Sequence, residues 1–200
     1  MAKPTFTFDA EKHEYRVGGK VIPSITQILK AEGIIDSTWY NAQARDRGTL
    51  VHLLAHLWDK GEFNDLEELN AIEEYAPYYP YMEAYDNFLT EKGVKVICSE
   101  EPMWSPEGFA GTPDKVAVVG GRICVIELKT GSKSPWHALQ TAAQSYLIRL
   151  KFPEYRGCED RYALYLDPDK YRLENHSNAT DFLIWRSIMA VHNWKRGAMK

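Results

Sequence analysis

Alternation of apolar and polar positions marks strands in this chain, and three- to four-residue spacing of apolar positions marks helices. The clearest strand signal is Val116 to Val119 and Ile123 to Ile126 on either side of Gly120-Gly121, a hairpin joined by a two-residue turn. With the glycines as the turn, Val119 faces Arg122, and counting back sets Asp114 opposite Glu127. Directly opposed residues have Cβ atoms about 5 Å apart. The period of two puts Val116, Val118, Ile123 and Val125 on the face of these carboxylates, with Lys129 one step beyond Glu127. An apolar strand face therefore ends in Asp, Glu and Lys.

Elsewhere the pattern predicts short strands Phe6 to Phe8, Tyr15 to Val17 and Lys20 to Ile22, a small N-terminal sheet. Ser24 and Gln27 form a capping box for a helix carrying Ile25, Ile28 and Leu29 up to Gly33. Thr38 to Lys60 reads as a long amphipathic helix with Leu50, Leu53, Leu54, Leu57 and Trp58 as its apolar stripe. Arg45, Gly48, His52 and His56 share another stripe. Asn64 to Lys92 reads as two helices broken at Pro77-Tyr78-Tyr79-Pro80, and its tyrosines as packing rather than base-stacking groups, because nothing basic is interleaved with them. Val94 to Trp104 is a strand, Trp136 to Lys151 a helix, Arg161 to Leu166 and Tyr171 to His176 a hairpin. A last helix runs from Thr180 to about Arg196, packing through Phe182, Ile184, Trp185, Ile188, Met189 and Val191. Together these give an α/β domain spanning 1–200, a mixed sheet flanked by helices. Within it, 38–92 form a helical layer, 94–176 the core sheet and helix, and 178–197 a terminal helix.

At 200 residues and 44% hydrophobic composition the chain can bury a sizeable core as one domain. No apolar run reaches the roughly 20 residues of a membrane span, and Met1-Ala2-Lys3-Pro4 does not open a signal peptide, so a cytoplasmic protein without membrane partners is expected. The net charge of −4 offers no global attraction for nucleic acid; phosphate binding must come from local groups and a metal. Cys98, Cys124 and Cys158 are scattered, and read as reduced thiols. Three cysteines cannot build a four-cysteine iron–sulfur cluster.

Two carboxylates held close on a mostly apolar hairpin cannot both stay ionised without a cation, a shared proton or the Lys129 ammonium. Hard oxygen ligands on neighbouring strands suit Mg²⁺ or Mn²⁺. Gly48 inside a helix costs about 1 kcal/mol relative to Ala, and its use is close approach of another group. Arg45 and Arg47 are candidates for a terminal or flanking phosphate, or a solvated helix face. Glu100 and Glu101 end the strand before the hairpin. Alternation, with Val94, Val96 and Cys98 on one face, favours Glu100 as the one beside Asp114.

Gly111-Thr112-Pro113-Asp114 followed by Glu127-Leu128-Lys129-Thr130-Gly131 resembles the PD-(D/E)XK nucleases, in particular the RecB-like and phage exonuclease branch. Further resemblances are Pro23 to Leu29, Gly48 to His52, Glu100-Glu101-Pro102-Met103-Trp104 and Gln140. They span Pro23 to Gln140, more than half the chain. The family carries Tyr four residues after that Gln, where this chain has Gln144; Tyr146 lies about 240° around the helix from Gln140 and cannot substitute.

The resemblance implies a restriction-endonuclease-like core and Mg²⁺- or Mn²⁺-dependent cleavage of DNA, by an exonuclease of phage-type recombination or repair, with a single-strand annealing or replication protein as a further partner. Asp114, Glu127 and the Leu128 carbonyl would hold the metal, with Glu100 and His52 completing its shell. Lys129 would act on the attacking water, and Gln140 would hold the site and substrate. Two other readings remain open from the residues: a retaining glycosidase using Asp114 and Glu127, and a non-catalytic DNA-binding member of the same fold.

Overall fold

The computed structural model describes residues 4–36 and 41–198. Three strands, β1 (Phe6–Asp9), β2 (Glu14–Val17) and β3 (Lys20–Ile22), form an antiparallel N-terminal sheet. Helix α1 (Ile25–Ala31) follows, capped reciprocally by Ser24 and Gln27. Next come α2 (Ala42–Asp59), α3 (Leu66–Asn70) and α4 (Tyr79–Glu91). The start expected at Thr38 lies outside the described residues; Asn41 caps α2 by accepting the Gln43 N–H.

The strands β4 (Lys95–Ser99), β5 (Met103–Ser105), β6 (Phe109–Gly111), β7 (Lys115–Val119) and β8 (Arg122–Lys129) then lead to α5 (Trp136–Lys151). Strands β9 (Asp160–Asp167) and β10 (Lys170–Asn175) and helix α6 (Thr180–Ala198) complete the chain. The central sheet has the order β10-β9-β8-β7-β4 and is mixed: β8 and β9 are parallel, joined across α5, and the other pairs are antiparallel.

The fold is thus α/β, with helices on both faces of the sheet. Alternation along β7 and β8 sends Val116 and Val125 into one core with α1, α5 and α6. It sends Ala117, Cys124, Ile126 and Leu128 into a second core with α2, α3 and α4. The tyrosines between α3 and α4 pack on this second core, where Tyr85 is fully buried. Gly111 is a packing requirement, since a Cβ there would lie 2.7 Å from Ile25 Cδ1 and 3.3 Å from Leu147 Cδ1. Cys124 and Cys158 are buried, Cys98 is partly so, and all are free. Among the described residues no helix is long and apolar enough to cross a membrane.

Three expectations are corrected. The strand expected from Val94 to Trp104 is two: a register shift between Val96 and Cys98 breaks the alternation, and Glu100 turns the chain with φ 53°. Val96 therefore pairs with Ala117 on one face while Cys98 pairs with Val116 on the other. On α2 the expected Leu54 is buried and Leu50 and Trp58 pack on the second core, but Val51 and Ala55 are buried with them and Leu53 is 43% exposed, because the helix also turns toward a cleft. Helix α6 is anchored by Trp185 and Met189, whereas Ile184 and Val191 lie outside the contact and are exposed.

Candidate metal centre

The hairpin register holds as far as its last pair, Lys115 opposite Ile126, with Val119 opposite Arg122. Asp114 and Glu127 stand one step further, at the strand ends that open on a cleft of about 1100 Å³. Asp114 is buried and bound at both oxygens: Oδ2 accepts the Leu128 N–H at 2.6 Å, and Oδ1 lies 3.3 Å from His52 Nδ1. Thus Leu128 meets Asp114 through its backbone N–H, while its side chain is buried in the second core.

His52 lies one turn beyond Gly48 on α2, where the helix passes the end of β8 closely enough that an added methyl would make an ordinary contact. A Cβ at Gly48 would stand 3.4 Å from Thr130 Oγ1. Arg47, whose Nη2 donates to the Thr130 carbonyl at 2.9 Å, ties the same two elements together. That contact uses one of the five guanidinium N–H groups and leaves others for an anion. Arg45 is exposed, donates to Asp46 and lines the cleft.

Glu100 reaches the site by way of its left-handed backbone, anchored by its N–H to the Asp114 carbonyl at 3.0 Å. A residue with a side chain adopts that conformation at a cost of about 1–2 kcal/mol, and such strain concentrates at functional positions. Its Oε1 lies 3.9 Å from His52 Nδ1. Glu101 points away, paired with Lys151. One ligand atom from each of His52, Glu100 and Asp114 falls within 4.8 Å of the others, the one such His, Cys, Asp and Glu group among the described residues.

Glu127 stands outside that group and has its own donors. Gln140 Nε2 and Lys129 Nζ both donate to Oε1, the latter at 2.8 Å, and Gln144 Nε2 donates to Oε2 at 2.6 Å. Gln140 also accepts from Lys129 Nζ at 3.2 Å, and the ammonium lies 5.4 Å from the centre of the Trp136 ring. Each carboxylate has a basic group beside it, His52 for Asp114 and Lys129 for Glu127, while Asp114 still acts on Glu127.

The electrostatics follow from this arrangement. Burial works against a charged His52, but the Asp114 and Glu100 carboxylates outweigh it and push its pKa up to about 10. Burial likewise opposes the Asp114 charge, yet His52, Lys129 and the Leu128 N–H hold it below the usual carboxylate range. Burial first, and Asp114 second, push Glu127 up; burial raises Glu100 as well, against the pull of His52.

Sequence reasoning missed Lys115, Asp59 and the role of Gln144. Lys115 is 2% exposed, forms an ion pair with Asp59 at 2.6 Å and donates to Ser99 Oγ at 2.7 Å. Ser99 Oγ in turn meets His56 Nδ1 at 2.9 Å, and Tyr85 donates to Asp59 at 2.7 Å. The alternation that buries Ala117 also buries Lys115, and a buried lysine demands a partner. Gln144 was visible as the residue one helical turn beyond Gln140 on the same face. His137 is a packing residue, its Nδ1 2.8 Å from the Tyr165 hydroxyl and burial pushing its pKa down to about 3.

No family model and no curated protein matches the chain. A solved structure described as "Crystal structure of SSO0001" is similar over 84% of both chains, at 12% identity and a TM-score of 0.34. A likeness that low carries no argument about function.

Proposed function

We propose that this protein is a metal-dependent deoxyribonuclease, acting as an exonuclease. The observation that carries this reading is the convergence of His52, Glu100 and Asp114 at the floor of the cleft that also receives Lys129. The donor set fits a divalent ion: two carboxylates and an imidazole suit Mn²⁺, and the carboxylate oxygens suit Mg²⁺. When bound, such an ion lowers the pKa of its water and neutralises charge on a scissile phosphate.

The chain's own groups supply the rest. Asp114 is fixed by the Leu128 N–H, so its second oxygen is presented toward His52 and Glu100. Glu127 and Gln140 hold the Lys129 ammonium in place, where it orients an attacking water and stabilises negative charge developing on a phosphate. Gln140 and Gln144 keep the Glu127 carboxylate from rotating.

The test is degradation of end-labelled linear and circular DNA, single- and double-stranded, with Mg²⁺, with Mn²⁺ and with chelator. Ion-dependent loss of linear DNA that disappears in Asp114→Asn and Lys129→Ala supports the reading. Equal degradation by folded wild type and both variants, or degradation that survives chelation, overturns it. Chelation also separates a nuclease from the glycosidase reading, which needs no ion.

A further inference from the structure

The cleft is chemically divided. Its floor carries the charged groups, and another part of its wall is made of rings and an aliphatic side chain that serve no metal. Phe8 and Tyr15 on the N-terminal sheet are stacked with centroids 4.6 Å apart and planes at 23°. His13 stands edge-on to both, 5.6 Å from Phe8 and 5.4 Å from Tyr15. It is held in the left-handed region at φ 47°, at the end of a tight turn in which Asp9 Oδ1 accepts the Lys12 N–H at 3.1 Å.

This aromatic group is fastened to the metal-binding loop. Tyr15 is 1% exposed, and its hydroxyl meets Thr112 Oγ1 at 2.8 Å, just upstream of Asp114. Core packing accounts for Tyr15, and Phe8 is its cross-strand partner, stacked on one of its faces. Phe8 is nonetheless only half-buried and lines the cleft together with the exposed His13 and the exposed Leu53, which follows His52 on α2.

A nucleotide is divided in the same way, a charged phosphate joined to a base with apolar π-faces. A base pair inside a duplex hides those faces in its stack; an unpaired base offers them to aromatic side chains. We propose that Phe8 and His13, with Leu53, form a nucleobase subsite for an unpaired base of the strand whose phosphate is held at the His52, Glu100 and Asp114 group. The substrate is then single-stranded DNA or the frayed end of a duplex. This inference rests on the nuclease reading and adds its strand preference.

The experiment is a cycle between protein and substrate, read as kcat/KM in Mg²⁺. A short single strand is compared with strands carrying an abasic residue at each terminal nucleotide in turn, for wild type, His13→Ala and Phe8→Leu. Stacking one base changes affinity by about 5- to 150-fold. Removing the base at the matching position should cost wild type about tenfold, and His13→Ala should cost about the same on the intact strand. The two changes together should cost no more than either alone. A pre-frayed duplex should be cut faster than a blunt one by wild type, with the difference reduced in His13→Ala. Additive losses, or no discrimination between intact and abasic strands by wild type, overturn the subsite while leaving the nuclease reading intact. No ion-dependent cleavage of any DNA by wild type overturns both. His13 is exposed, so its variant remains informative if Phe8→Leu fails to fold.

Discussion

Gln144 Nε2 donates to Glu127 Oε2 at 2.6 Å, and Gln140, one turn earlier on α5, donates to the other oxygen of the same carboxylate. Two amides on one helix face thus fix a buried acid whose remaining partner is the Lys129 ammonium.

Replacing Gln144 by Leu leaves Glu127 Oε2 buried without a donor. The expected outcome is a loss of about 1–3 kcal/mol in stability by urea unfolding. On the proposed reading DNA cleavage should fall as well, because Glu127 and Gln140 together hold the Lys129 ammonium in place. An unchanged kcat/KM would show that Glu127 needs no such restraint.

Mn²⁺ should raise the melting temperature of the protein, and chelator should reverse the rise. Saturation at about a hundred times Kd contributes about 2.7 kcal/mol. For a chain of this size that is a shift of about 5–10 °C. Glu100→Asn keeps a residue that tolerates the left-handed backbone while removing one ligand, so its own melting temperature should stay near wild type and the Mn²⁺ shift should shrink. A full-sized shift in Glu100→Asn, read by calorimetry, rules Glu100 out as a ligand.

On the proposed reading, His52 links ion binding to pH. Its folded pKa, about 10, lies above the ordinary value of 6.5. Without an ion, its charge adds stability that is fully present below 6.5 and is lost as pH rises through about 10. A bound ion needs the neutral ring, so binding must expel this proton. Mn²⁺ affinity should climb as pH rises from about 6.5 toward about 10, with a proton released per ion, measured by titration calorimetry in buffers of different ionisation enthalpy. In His52→Asn, affinity should be weaker and this proton release absent. Release that persists in His52→Asn assigns the proton elsewhere.

Beneath the sheet, Lys115 and Asp59 form an ion pair with side chains 2% and 3% exposed. Removing one partner strands a buried charge, so Lys115→Met should cost about 3–5 kcal/mol, and the double change Lys115→Met with Asp59→Leu should recover much of that. Denaturation midpoints of the two single variants and the double variant measure the coupling. Additive losses would mean that the pair is not coupled.

Local rules alone determined much of this protein. The Gly120-Gly121 turn fixed the register of β7 and β8 because a two-residue hairpin leaves one pairing open, and that register carried Asp114 and Glu127 to adjacent strand ends. The capping box at Ser24 likewise follows from contacts within a few residues.

What local rules could not reach depended on groups distant in sequence. Alternation failed at the bulge between Val96 and Cys98, because the extra residue there, Ile97, is apolar yet 38% exposed, so its character does not report the face it takes. The partners of Asp114 come from α2 and from a residue with φ 53°, and the pairing of Lys115 with Asp59 joins a strand to a helix end. The aromatic wall formed by Phe8 and His13 comes from the far N-terminal part of the chain. Periodicity specifies which face a side chain takes; only the packing of helices and sheets against one another decides which faces meet.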